Sequence, residues 1–168
     1  MKLPDLPLNE CERLGFLREL AILDTPPESR YDEITLEAKR YFNVPVALVS
    51  LIDADRQWFK SCQGLDVSET ERDISFCGHA INHDEVLYVP NTEEDLRFRT
   101  NPLVTGEPYI RFYAGAPLIM SENLRLGTLC IIDRVSREFD EDQLAVLRRL
   151  ADQVQDELLS CLHHRSAT

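Results

Sequence analysis

The spacing of apolar and polar positions divides the chain into helix-spaced ends and a strand-spaced middle. Asn9-Glu10-Cys11-Glu12 has the spacing of a capping box, and Leu14, Leu17, Leu20 and Ala21 then recur at helical steps. Asp24-Thr25-Pro26-Pro27 ends that helix, because proline lacks a donor and restricts the residue before it. A second helix is expected over 28–42, with Tyr31, Ile34, Thr35, Ala38 and Phe42 on its apolar face. The period then changes. Residues 44–52 are β-branched and nearly all apolar, which predicts a buried strand. A turn at Asp53-Ala54-Asp55-Arg56 leads into a returning strand over 57–61, with Trp58 and Phe59 on opposite faces.

Residues 63–73 are polar and read as a loop. A short helix over 75–82 follows, with Ser75 at its N-cap. A short strand at 86–89 stops at Pro90-Asn91, and 91–108 holds turn formers and charge with one possible helical turn. Two more strands, 109–117 and 126–132, are joined through Ser121-Glu122-Asn123. Asp140 with Gln143 opens the last helix, expected to run to about Leu162. This order predicts an α+β fold on one antiparallel sheet. One domain is expected over 1–168, with its core at about 13–160 and flexible tails at 1–8 and 163–168. In the last helix Leu147, Ala151, Val154, Leu158 and Cys161 form a stripe, with Leu144, Val146 and Leu150 beside it. That is either one wide core-facing stripe or a core face plus a face for a partner helix in a homodimer.

Composition narrows the partners. Lys and Arg number 18 against 30 Asp and Glu, a net charge of −12, which disfavours nucleic acid and anionic membrane as bulk partners. The five cysteines are odd in number and lack a C-x-x-C spacing, so the expectation is free thiols in a reducing cytoplasm and no zinc. No stretch approaches the roughly 18 apolar residues of a membrane span.

The chemistry gathers at residues 75–81. Cys77 in the first turn of a helix capped by Ser75 has its thiolate favoured by unpaired amides, with Arg72 as a possible added cation and Asp73 next to it. The plainer reading is a small buried residue in the packing. His79 lies two residues on, which on a helix turns it away from Cys77. His79 and His83 share a face but have no evident third metal ligand. Arg111 and Tyr113 share one strand face, and an inward Arg111 needs a carboxylate such as Asp73 or Asp95, or a bound anion. Arg97 and Arg99 either assist or stay solvated.

Several blocks resemble a GAF domain, a small-molecule sensor module of bacterial signalling proteins. They are Leu23-Asp24-Thr25-Pro26-Pro27-Glu28, the strand over 44–53, Arg56-Gln57-Trp58-Phe59-Lys60-Ser61 and the stretch over 72–81. Asn101-Pro102-Leu103-Val104-Thr105-Gly106 and the segments over 110–118 and 126–133 complete the set. The resemblance is to the subgroup found alone or before sensor histidine kinases and diguanylate cyclases. It implies an antiparallel sheet of five or six strands, with terminal helices on one face and a pocket roofed by loops and a short helix on the other. The pocket wall implied is Trp58, Phe59, Phe76, Cys77, His79, Asp95, Arg97, Arg111 and Tyr113, with Arg72 and Asp73 in an anion or structural network. It implies a regulatory domain that binds an unknown small ligand, signals through dimeric terminal helices to a separate output protein and is not an enzyme.

The alternatives are a thiol enzyme of the free methionine sulfoxide reductase type using Cys77, and a ligand-free dimerisation module. Against the first, 67–72 and 91–113 lack companion cysteines. Gly78 separates Cys77 from His79, where bilin-binding members have an adjacent Cys-His, and the cyclic-nucleotide signature is missing. No metal, bilin or haem is therefore expected.

Overall fold

The apolar run after Asn43 becomes the middle of a sheet. In the computed structural model, which describes residues 1–166, β1 (Val46–Ile52) is buried along its whole length. It pairs antiparallel with β2 (Arg56–Gln63) on one side and β6 (Leu124–Asp133) on the other. β5 (Phe112–Met120) adds to β6, β4 (Leu87–Val89) to β5, and β3 (Glu69–Glu71) to β2. The result is a six-stranded antiparallel sheet in the order β3-β2-β1-β6-β5-β4.

Strand alternation sends Ala47, Val49 and Leu51 to one face and Val46, Leu48 and Ile52 to the other. On the first face lie α1 (Glu10–Leu20), α2 (Ser29–Phe42) and α5 (Glu141–Ser166). The apolar face expected for α2, Tyr31 through Phe42, is buried there. In α5, Leu147, Leu150, Ala151, Val154 and Leu158 are buried, and Leu144, Val146 and Cys161 pack half-buried against the same core. Both rows of α5 thus engage the sheet of their own chain.

Two bulges re-aim side chains. In β2 the register slips between Val49 and Ser50 of its neighbour, so Lys60 and Ser61 both meet α2. Lys60 Nζ is buried between Thr25 Oγ1 (2.7 Å), the Pro26 carbonyl (2.6 Å) and Glu28 (2.7 Å). This explains the Thr-Pro-Pro-Glu block as a lock on the α1–α2 turn. The other slip, between Leu118 and Ile119, lets both Leu126 and Leu129 of β6 face the helices.

Several expectations are corrected. Asn9 makes no side-chain cap on α1; its amide donates to the Asn123 carbonyl at 3.2 Å. The polar stretch read as a loop contains β3 and a 3-10 turn at Arg72–Ile74. The 91–108 segment contains a 3-10 turn at Thr92–Glu94 and α4 (Pro102–Thr105), whose Asn101 side chain accepts from Leu103 N. Residues 1–8 touch the roof layer through Lys2, Pro4 and Asp5. The tail expected at 163–168 is helical to Ser166, and 167–168 lie outside the described residues. Among the described residues no helix is long and apolar enough to cross a membrane.

Candidate functional site

The second face of the sheet carries its own apolar cluster beneath a roof. The roof begins with α3 (Phe76–Ala80), started by Ser75, whose hydroxyl oxygen accepts from Gly78 N at 3.0 Å. The same hydroxyl donates to the Arg72 carbonyl at 2.7 Å, so one side chain fixes the helix and the turn before it. Phe76 stacks on Phe98 with ring centroids 4.1 Å apart, and tilts over Tyr113 at 5.1 Å. Asn101 ties α4 to this layer by donating to the Ile74 carbonyl at 3.0 Å.

Between sheet and roof lies a cavity of about 310 Å³. Leu48, Phe59, Tyr113, Cys130 and Ile132 make its floor; Phe76, Cys77, Leu103 and Ile110 close it from above. It opens past exposed Asp66, Val67, Glu107 and Arg134. Its wall is mostly apolar, and Gln57 and Arg134 at its edge already hold partners. Gln57 accepts from Ser50 at 2.8 Å and donates to Thr70 at 2.9 Å. Arg134 Nε donates to the Pro108 carbonyl at 3.0 Å.

Where the roof meets the floor, Tyr113 Oη and Thr128 Oγ1 donate to Cys77 Sγ at 3.2 and 3.1 Å, and Cys130 Sγ lies 3.9 Å away. Burial pushes the Cys77 thiol up, but its contacts with Cys130, Thr128 and Tyr113 outweigh burial and hold it below the ordinary thiol value. Burial and the Cys77 sulfur push the Cys130 thiol well up. The segments 67–72 and 91–113 hold no cysteine, as read from the sequence, but Cys77 has a neighbouring thiol from elsewhere. Its companion comes from β6, 53 residues away, where no local spacing signals it.

Of the expected wall, Phe59, Phe76, Cys77 and Tyr113 line the cavity. Trp58 instead joins the core under the helices, as its position next to Phe59 on a strand requires. His79 points to the N-terminal segment: Nε2 lies 3.1 Å from the Lys2 carbonyl, and burial holds its pKa below the usual value. Asp95 and Arg97 pair with each other at 2.7 Å, and Arg97's hydrogen bond holds Asp95 below the usual carboxylate value. Arg111 precedes β5 and turns outward to Glu93 at 3.2 Å and the Val104 carbonyl at 2.8 Å.

Arg72 does not approach Cys77. It joins Glu10 of α1 and donates to the Asp53 carbonyl at 2.9 Å, while Asp73 is exposed. Glu10 also holds the fully buried Arg13 at 2.9 Å, and Arg13 Nη1 donates to the Ile52 carbonyl at 2.7 Å. This Arg13–Glu10–Arg72 cluster is a structural network, with no opening to the cavity. The sequence missed Leu48, Cys130 and Ile132, which strand alternation alone could have assigned to the Phe59 face. It missed Leu65, Leu103 and Ile110 because nothing local aims a loop residue.

A model of the GAF domain matches residues 26–158. Over 152 residues the chain is 43% identical to a cyclic di-GMP phosphodiesterase of Pseudomonas aeruginosa, covering 90% of this chain and 26% of that protein. The chain thus spans about a quarter of the curated relative's length. A GAF domain of a phosphoenolpyruvate-protein phosphotransferase from Coxiella burnetii has the same fold, with a TM-score of 0.67 at 17% identity, covering 94% of this chain and 98% of that one. A free methionine-R-sulfoxide reductase from Neisseria meningitidis has a TM-score of 0.64 at 16% identity, covering 91% and 89%. The relative named as a phosphodiesterase overturns the expectation that this protein stands apart from enzymes. Matched by the family model over most of its length and built as a roofed antiparallel sheet with helices behind it, the chain belongs to the GAF domain family.

Proposed function

We propose that the chain serves cyclic di-GMP turnover as a GAF unit that reads a small, uncharged, mostly apolar molecule in the roofed cavity. The observation that carries this is the cavity itself, mostly apolar inside, with Gln57 already partnered, in a chain 43% identical to a cyclic di-GMP phosphodiesterase. The volume equals about ten liquid waters, at the small end for ligand pockets. Cyclic di-GMP, with two phosphodiester charges, is a poor occupant. It would meet Asp66 and Glu107 at the mouth against Arg134 alone, and apolar walls inside. The nucleotide belongs to the reaction that the protein serves, and the cavity takes the signal.

Occupancy would alter the roof, and the Arg13–Glu10–Arg72 cluster joins the turn before α3 to α1. The terminal helices α1 and α5 then carry the change to a second copy or to an output protein in the cytoplasm, as a shift between populations. Leu144, Val146 and Leu159 are half-buried and keep an edge for such contact. The test uses the full chain with a panel of small uncharged aromatics. Binding is followed by thermal shift, cyclic di-GMP hydrolysis with and without each binder, and self-association by sedimentation. Binders are expected to raise Tm, to change hydrolysis and to lose their effect in Leu103→Trp, which fills the cavity. A molecule that binds in the cavity and leaves hydrolysis unchanged would sink the proposal.

A further inference from the structure

Cys77 and Cys130 form a buried pair that the regulatory reading leaves without a role. We propose that they are a dithiol site for hydroperoxides with an apolar alkyl or aryl group, which oxidise the pair to a disulfide at the cavity floor. Three observations converge on it. The two sulfurs lie 3.9 Å apart. Both line the same cavity, whose walls accept an apolar group and whose mouth is open to solvent. The Tyr113 and Thr128 hydroxyls both donate to Cys77 Sγ, an arrangement that favours a sulfur bearing negative charge.

The pair is asymmetric. Cys77 holds two hydroxyl donors and is the nucleophile, whereas Cys130, its thiol pushed up, is the resolving residue. In the first step the Cys77 sulfur attacks the terminal oxygen of R–O–O–H. The O–O bond breaks, Cys77 becomes a sulfenic acid, and the alkoxide leaves as R–OH with the thiol's proton. In the second step the Cys130 sulfur attacks the Cys77 sulfur. The S–S bond forms, the S–O bond breaks, and the hydroxyl leaves as water with the Cys130 proton. Two thiols are oxidised and one peroxide is reduced to an alcohol and water, so no other reactant is needed. A second dithiol restores the pair by exchange.

Oxidation has a structural consequence because Cys77 sits on α3 and Cys130 on β6. Closing the sulfurs from 3.9 Å to the roughly 2 Å of a disulfide draws the roof helix onto the sheet. The floor of the cavity moves with it.

The test oxidises the protein with cumene hydroperoxide and, separately, with hydrogen peroxide. Free thiols are then alkylated under denaturing conditions and peptides are analysed by mass spectrometry. A Cys77–Cys130 linked peptide is expected, forming at least tenfold faster with cumene hydroperoxide. In Cys130→Ala, which keeps a small apolar side chain, Cys77 is expected to stop at the sulfenic acid and be trapped by dimedone. Circular dichroism of that variant separates loss of resolution from loss of fold. Both cysteines remaining alkylatable while exposed Cys11 oxidises would overturn the proposal, as would equal rates with the two peroxides. Because the readout is a covalent bond, it stands or falls apart from any effect on cyclic di-GMP hydrolysis.

Discussion

At the scale of single residues, the cavity floor is governed by which hydroxyls reach Cys77. Tyr113→Phe keeps the ring against Phe76 and removes one donor, so the thiol should rise toward the ordinary range. Iodoacetamide labelling of Cys77 against pH is then expected to move to higher pH by a unit or so. An unmoved profile would mean that the hydroxyl does not tune the sulfur. These residues were partly legible in the sequence. Phe59, Phe76, Cys77 and Tyr113 sit where strand alternation and a capped helix place them. Asp95, Arg97 and Arg111 were misread because a charged side chain near a pocket takes the nearest opposite charge, here Arg97, Asp95 and Glu93 in turn. Cys130 was illegible as a partner, because sequence gives a strand's period and not which side chain of another element it meets.

At the scale of elements, the sequence pattern read α1, α2, α5 and the four longer strands within a few residues, because the helices each bury one continuous face and the strands are nearly unbroken runs of buried residues. β3 escaped because its three residues are too few and too polar to show a period, and α4 was foreseen only as a possible helical turn because four residues make no period. The junction of β1 with β6 carries the tightest constraint. Gly127 pairs with Leu51, and a Cβ there would drive into the backbone of Ser50 and Leu51. Gly127→Ala is therefore expected to force the two central strands apart and cost about 1–3 kcal/mol, as overpacking does. Urea denaturation measures it; a change within 0.5 kcal/mol would show that the strand relaxes freely.

At the scale of the whole molecule, the Arg13–Glu10–Arg72 cluster joins the helical layer to the roofed layer around the end of the β1–β2 hairpin. Burial alone would raise the Glu10 carboxyl, but hydrogen bonds from Arg13 and Arg72 outweigh it and lower it to about 2 from 4.5. A depressed carboxyl contributes its full stability above pH 4.5 and loses it as pH falls through about 2. Glu10→Gln is expected to cost about 2 kcal/mol at pH 7, less than a fully enclosed pair because the carboxylate keeps some solvent contact. The gap between the variant and the wild type should narrow below pH 4.5 and close near pH 2. Thermal unfolding across that range reads it, and a gap that persists at pH 2 would contradict the sign.

The sheet order has a consequence for how the protein is made. β1 is central, yet one of its two neighbours is β6, and Val46 cannot meet Ile132 until the ribosome has passed that residue. At usual elongation rates that delay is roughly 4–17 s, during which the most apolar strand of the chain has only the β2 hairpin beside it. The nascent protein is therefore most vulnerable to aggregation between the synthesis of β2 and that of β6. A holding chaperone would find its binding segment at Val46–Ile52.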